Sequence, residues 1–144
     1  MFTVKTFEEL TAEELYEILR TRIEIFVVEQ NCPYQEADGI DQRSLHVFST
    51  GEDGRVTSYL RLFERDADTV QMGRVLTLEH GTGLGGKLLH EGVRLAEERM
   101  NAKKIYIEAQ CYATGFYARE GFVITSDEFL EDGIPHVVME RITE

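Results

Sequence analysis

The chain has 144 residues, 42% of them hydrophobic, which suffices for one core and leaves no room for a second domain of ordinary size. Its 15 basic and 27 acidic side chains give a formal charge of -12, so its field repels nucleic-acid phosphates and anionic membranes and suits a cationic partner such as an amine, although solubility alone accounts for most of the carboxylates. No apolar run approaches the roughly 20 residues that span a bilayer, and the opening MFTVKTFEEL lacks the order of a signal peptide. The expectation is one domain over residues 1–144 in the cytoplasm, with Cys32 and Cys111 as reduced thiols because they form neither a zinc spacing nor a disulfide framework.

Phe2 to Phe7 alternates as a first strand, and Thr11 with Glu14 makes a capping box ahead of a helix. Leu15, Ile18, Leu19, Ile23 and Phe26 share one face of that helix, which is expected to end near Gln30. Pro33 and Gly39 mark an irregular segment, after which His46 to Thr50, Arg55 to Phe63 and Thr69 to Leu76 read as three strands joined by short turns. A second helix runs from Leu84 to about Met100 with Leu84, Leu88, Leu89, Leu95 and Ala96 inward, and leads into the strand Lys104 to Ala109. That crossover predicts parallel pairing with Thr69 to Leu76. A short helix near Thr114 to Glu120, stopped by Gly121, precedes strands at Phe122 to Thr125 and Val137 to Ile142.

The most informative stretch is 73-GRVLTLEHGTGLGGKLL-89, in which a strand passes through closely spaced glycines directly into a helix. The first amides of a helix lack carbonyl partners and carry the positive end of its dipole, so this turn is a natural seat for a phosphate or diphosphate. Three phosphate patterns fit it. Gly81, Gly86 and Lys87 fit GxxxxGK, but Leu88 stands where a magnesium-holding Ser or Thr is required. Gly81, Gly83 and Gly86 fit the GxGxxG of dinucleotide folds, with Glu108 as a distant acid, yet that motif normally opens its fold and here about 80 residues precede it. The third pattern is the diphosphate of coenzyme A, and a turn that merely joins strand to helix is the bland alternative.

The run 80-HGTGLGGKLL-89 resembles motif A of the GNAT superfamily of N-acetyltransferases, with Gly83 and Gly85 at its two small positions, and 116-FYAREGF-122 is similar to the family's FYxxxGF segment. The ends, 22-RIEIFVVEQNCPYQEADGID-41 and 131-EDGIPHVVM-139, resemble the ElaA-like subgroup, so the likeness covers nearly the whole chain. It implies a GNAT-type α/β fold: a mixed, mostly antiparallel twisted sheet with helices on both faces and a V-shaped gap between its two central parallel strands. It also implies an acyltransferase that moves an acetyl group from acetyl-CoA to a small-molecule or peptide amine, without a metal, by direct attack in a ternary complex. A non-catalytic acyl-CoA or nucleotide sensor built on the same loop is the alternative. A homodimer and a monomer are both open on this reading.

On that resemblance, main-chain amides across Gly81, Thr82, Gly83, Leu84, Gly85, Gly86 and Lys87 hold the diphosphate, while Val75, Leu76 and Thr77 pair with the pantetheine arm as an added strand would. A lysine in the first helical turn is more often a solvated surface residue, which is the competing reading of Lys87. Tyr117, at the matching FY position, is the expected proton donor to the leaving thiolate, against the alternative of simple core packing. The asparagine often found four residues earlier is Ala113 here, and the usual Arg or Gln at the head of motif A is His80. Glu29, Glu108 and His136 are candidates for the base, with a solvent-facing strand carboxylate as the alternative for Glu108 and a turn-closing histidine for His136. Glu29, Asp38 and Asp41 in the acidic segment are the expected acceptor contacts, with turn structure or a hard cation as the competing readings of Asp38, Gly39 and Asp41.

Overall fold

The computed structural model describes residues 1–143. Eight strands form one sheet: β1 (Thr3–Thr6), β2 (Leu45–Thr50), β3 (Val56–Glu64), β4 (Thr69–Thr77), β5 (Lys104–Gln110), β6 (Val123–Ile124), β7 (Phe129–Glu131) and β8 (Ile134–Ile142). Their order is β1-β2-β3-β4-β5-β8-β6, with β7 also on β8, and every pair is antiparallel except β4 with β5. The expected mixed sheet and parallel central pair are therefore present. β7 was not expected, because three residues carry too little alternation to read as a strand.

Helix α1 (Ala12–Arg22) begins at the expected capping box, where Thr11 Oγ1 accepts from Glu14 N–H at 3.1 Å and Glu14 Oε1 accepts from Thr11 N–H at 2.9 Å. It continues as a π-helical segment over Ile23–Glu29. The wider π turn changes which side chains face inward. Thr21 and Arg22 are buried, whereas Ile23, expected on the inner face from a 3.6-residue period, is turned out. Leu10, Ile25 and Phe26 still pack on Ile18, Phe48, Tyr59 and Leu76 on this side of the sheet.

Helix α2 (Leu84–Glu98) covers the larger core, where Leu88, Leu89, Val93, Leu95 and Ala96 meet Leu60, Leu62, Met72, Ile105 and Ile107. Each large apolar side chain buried there contributes about 1.5–3 kcal/mol. Leu84, at the exposed end of the stripe, is only half-buried. The helix lies close on the strands at Gly92, where an added Cβ would stand 2.8 Å from Leu60 Cδ2 and 2.9 Å from Met72 Cε. Helix α3 (Thr114–Ala118) stops two residues short of the expected end at Glu120; the turn after it runs to Gly121, whose φ of +89° lets Phe122 N–H reach back to the Tyr117 carbonyl at 3.3 Å.

Two irregularities shape the centre of the sheet. β4 pairs with β5 only at Thr69–Lys104, Val70–Ile105 and Gln71–Tyr106, after which the strands part although β4 runs on to Thr77 and β5 to Gln110. On its other side β4 bulges. Arg61 opposes Gly73 and Tyr59 opposes Leu76, leaving Arg74 and Val75 without partners in either neighbouring register, and Arg74 has a left-handed φ of +53°.

Candidate active site

The parting of β4 and β5 opens a cleft of about 950 Å³ that reaches from the glycine turn to the β7–β8 hairpin. Gly81, Gly83, Gly85 and Gly86 line one end, and Val75, Leu76 and Thr77 line the β4 wall. Gly83 caps α2 with φ +80°, a conformation open to glycine and strained for other residues. Lys87 N–H makes the first bond of the helix, to the Gly83 carbonyl at 3.2 Å, and Thr82 Oγ1 accepts from Leu84 N–H at 3.4 Å. Among the described residues the amides of Gly85 and Gly86 have no such partner. An added Cβ at Gly81, Gly83 or Gly86 would meet nothing within 4 Å, so the space over the turn is open. Backbone donors, a positive helix end and free approach fit a diphosphate group. Thr82, Leu84 and Lys87 do not line the cleft with the glycines; Thr82 serves the turn itself.

Tyr117 lines the cleft from α3, held edge-on between Phe116 and Phe122 at centroid distances of 5.1 and 6.0 Å. Gly85 makes room for this aromatic group, since its Cβ position is 3.4 Å from Phe116 Cε1. Burial pushes the Tyr117 phenol above its ordinary pKa, and no hydrogen bond within the protein contributes to that shift. The hydroxyl is thus protonated and uncommitted.

At the other end of the cleft the structure joins Glu108 and His136 to a residue that sequence reasoning missed, Glu131. Tyr106 donates its hydroxyl to Glu108 Oε2 at 2.9 Å. Burial, then a hydrogen bond to Glu108 and the charge of Glu108 and Asp132, push Glu131 up to about 7. His136 Nε2 stands 3.5 Å from Glu131 Oε2, while Nδ1 is 2.7 Å from the Ile134 carbonyl. A carbonyl only accepts, so Nδ1 carries the proton of the neutral ring and Nε2 is left facing Glu131. The signal for Glu131 was present in Asp132-Gly133, whose φ values of +51° and +78° are those of a two-residue hairpin turn. Reading that turn folds residue 131 back beside the start of β8.

The acidic segment is divided by the fold. Glu29 ends the π segment, exposed and lining the cleft. Asp38 and Asp41 do not line it. Asp38 binds Arg61 Nη2 at 2.6 Å, and buried Asp41 binds Arg22 Nη1 at 2.7 Å and Arg61 Nη1 at 3.0 Å. Burial opposes ionisation of Asp38, yet the hydrogen bonds and charge of Arg61 outweigh it and hold the carboxyl at about 2. With their oxygens already committed to arginines, these two carboxylates are not free to receive an ammonium group, which departs from the sequence expectation. Asp38 also accepts from Ile40 N–H at 3.1 Å, with Gly39 at φ +81°, so turn chemistry is part of its role. Among the described residues no group of three or more His, Cys, Asp or Glu side chains is arranged to hold a metal ion, and no helix is long and apolar enough to cross a membrane.

A parallel strand pair thus parts beside a helix start with free amides, and Tyr117, Glu108 and Glu131 lie along the gap. The chain belongs to the acetyltransferase (GNAT) domain family, which it matches over residues 7–143. It is 43% identical over 139 residues to a UPF0039 protein of Mycobacterium bovis, covering 93% of this chain and 88% of that one. Its structure is similar to the crystal structure of Escherichia coli ElaA, with a TM-score of 0.91, 32% identity, and 98% and 99% of the two chains covered. It is similar as well to an acyl-CoA N-acyltransferase from Pseudomonas aeruginosa, with a TM-score of 0.90, 39% identity and the same coverage.

Proposed function

We propose that the protein transfers the acetyl group of acetyl-CoA directly to an amine held in the same cleft. The observation that carries this reading is the continuity of one cleft from the free amides of Gly85 and Gly86, past the unpaired edge of β4, to Tyr117 and the Glu108–Glu131 pair. Acetyl-CoA supplies the thioester whose acetyl carbon is attacked. The turn amides bind its diphosphate, and main-chain groups across Val75, Leu76 and Thr77 pair with the amides of the pantetheine arm. An amide of the β4 bulge donates to the carbonyl oxygen as negative charge develops there.

The Glu108–Glu131 pair, with His136 beside it, takes a proton from the incoming ammonium so that the nitrogen lone pair is free to attack. The C–N bond forms and the C–S bond breaks. The departing sulfur takes the proton of the Tyr117 hydroxyl, which recovers it from the proton released by the new amide nitrogen. Glu29 adds negative charge at the mouth, while Asp38 and Asp41 frame the acceptor side through their arginines. Cys111 is not needed as a nucleophile: burial and the Glu128 carboxylate, which accepts from its thiol at 3.3 Å, push its pKa up.

The test is acetyl-CoA offered with a panel of diamines, amino acids and peptides, following free thiol and the mass of the acceptor. The expected result is thiol release that depends on an amine, with the acetylated amine as product; release at the background hydrolysis rate with every amine leaves only the sensor alternative. The pair must be short of a proton to accept one, so kcat/KM rises as pH passes about 7, the value to which Glu131 is raised. Glu131→Gln is expected to remove that limb and lower the rate at neutral pH by about tenfold to 100-fold. A profile unchanged in the variant would take Glu131 out of the base.

A further inference from the structure

Beneath the acceptor side of the cleft lies a closed ring of alternating charge. Arg22 meets Glu36 at 2.5 Å and Asp41 at 2.7 Å; Asp41 meets Arg61 at 3.0 Å; Arg61 meets Asp38 at 2.6 Å; Asp38 meets Arg74 at 3.2 Å; and Arg74 returns to Glu36 at 2.6 Å. The ring draws on four parts of the fold: α1, the 31–41 segment, β3 and the bulge of β4. Arg22 is fully buried and Arg61 nearly so. Tyr34 donates to Glu36 Oε2 at 2.5 Å, and His46 and Tyr59 close the inner side, with Tyr59 OH 2.6 Å from His46 Nδ1 and His46 Nε2 2.9 Å from the Asp41 carbonyl.

Stability does not account for such an arrangement. Removing several charges from water costs several kcal/mol per ion, and well-packed apolar residues in their place are often as stabilising or more so. What the ring does uniquely is geometric. Of its six members only Arg74 has a left-handed backbone, and Arg74 is the centre of the bulge that leaves Arg74 and Val75 without register partners beside the gap. A non-glycine residue keeps such a conformation only where its surroundings over-determine it. Two carboxylates from one segment grip this guanidinium, and Arg22 and Arg61 anchor those carboxylates to α1 and β3. Without that grip β4 is free to straighten, and a shift of register would turn its side chains to the opposite face.

We propose that the ring of Arg22, Glu36, Arg74, Asp38, Arg61 and Asp41 is a positioning device for acyl transfer, which locks the β4 bulge so that the main-chain amides of Arg74 and Val75 stay aimed into the cleft at the thioester carbonyl. The proposal rests on the acetyl-CoA reading above. The six residues act through the backbone they hold.

Isotope-edited infrared spectroscopy with acetyl-CoA labelled at the carbonyl carbon reads this effect directly, because a carbonyl that accepts a strong hydrogen bond vibrates at lower frequency. The full chain and its Arg74→Gly variant are compared, with acetyl-CoA affinity measured by calorimetry. Glycine takes φ +53° without strain, Glu36 keeps Arg22 and Tyr34, and Asp38 keeps Arg61, so this variant retains its fold. The wild type is expected to lower the carbonyl frequency on binding, and Arg74→Gly to lose most of that shift while binding acetyl-CoA within about threefold of the wild type, a difference under 1 kcal/mol. Asp38→Asn, which weakens the grip without touching β4, is expected to lose part of the shift. A wild-type shift fully retained in Arg74→Gly would reduce the ring to a structural feature and overturn the proposal. Wild-type binding without any shift would also overturn it while leaving the acetyl-CoA reading intact, whereas no acetyl-CoA binding at all would remove both.

Discussion

Gly86→Glu is expected to lose at least about 100-fold in affinity for CoA while melting no lower than the wild type. Position 86 lines the cleft in the first turn of α2, and a Cβ there meets nothing within 4 Å. The backbone has ordinary helical geometry, in contrast to Gly83 at φ +80°, where any side chain adds strain to the loss of binding. In the unliganded protein the substitution favours the helix: glycine gives way to a better helix former, and a carboxylate in the first turn meets the positive end of the dipole, for about 0.3–1 kcal/mol each. With CoA the same carboxylate faces a diphosphate, and one like-charge pair at 4 Å costs about 4 kcal/mol at an effective dielectric constant of 20. Stability and affinity therefore move in opposite directions, a signature that general misfolding does not produce. Calorimetric titration with CoA alongside thermal melting checks it, and wild-type affinity in the variant would mean that the turn is not the diphosphate site.

Tyr117→Phe is expected to lower kcat by tenfold to about 10⁴-fold with CoA affinity little changed. The ring stays between Phe116 and Phe122, so the packing of α3 persists and only the hydroxyl is lost. That hydroxyl has no hydrogen bond within the protein to forfeit, and removing it leaves no buried partner unsatisfied. Burial holds the phenol protonated throughout the neutral range, so it is available as a donor wherever the enzyme works. The upper end of the range applies if proton transfer to sulfur limits the breakdown of the C–S bond, the lower end if water substitutes for the phenol. Kinetics measured where chemistry limits the rate decide the matter, and unchanged turnover would make Tyr117 a packing residue.

Local signals in the sequence proved legible because each is settled within a few residues. The Thr11–Glu14 box opens α1, Gly121 ends the turn that follows α3, and the glycine turn caps α2 through the positive φ of Gly83. What escaped depends on pairing across the chain. The bulge at Arg74 exists only as a mismatch between the registers of β3 and β4, and no periodicity within β4 encodes it. Ile23 was misplaced because the helical period changes at that residue. Asp38 and Asp41 read as free acceptor contacts since their arginine partners Arg22 and Arg61 lie about 20 residues away in sequence and meet them only in the fold. Glu131 was within reach, because the Asp132-Gly133 turn that places it is a local signal; its pairing with Glu108 on β5 is not.

The central claim is that the parted strands and glycine turn form an acetyl-CoA site, and thermal melting with acetyl-CoA, magnesium-ATP and NAD compared at equal concentration tests it most directly. At about 100 times its dissociation constant a ligand stabilises the native state by roughly 2.7 kcal/mol, which for a chain of this size raises the melting temperature by on the order of 5–10 °C. The predicted result is a shift of that size with acetyl-CoA, abolished by Gly86→Glu, and none with the two nucleotides. A shift with magnesium-ATP or NAD that equals or exceeds the one with acetyl-CoA would contradict the account.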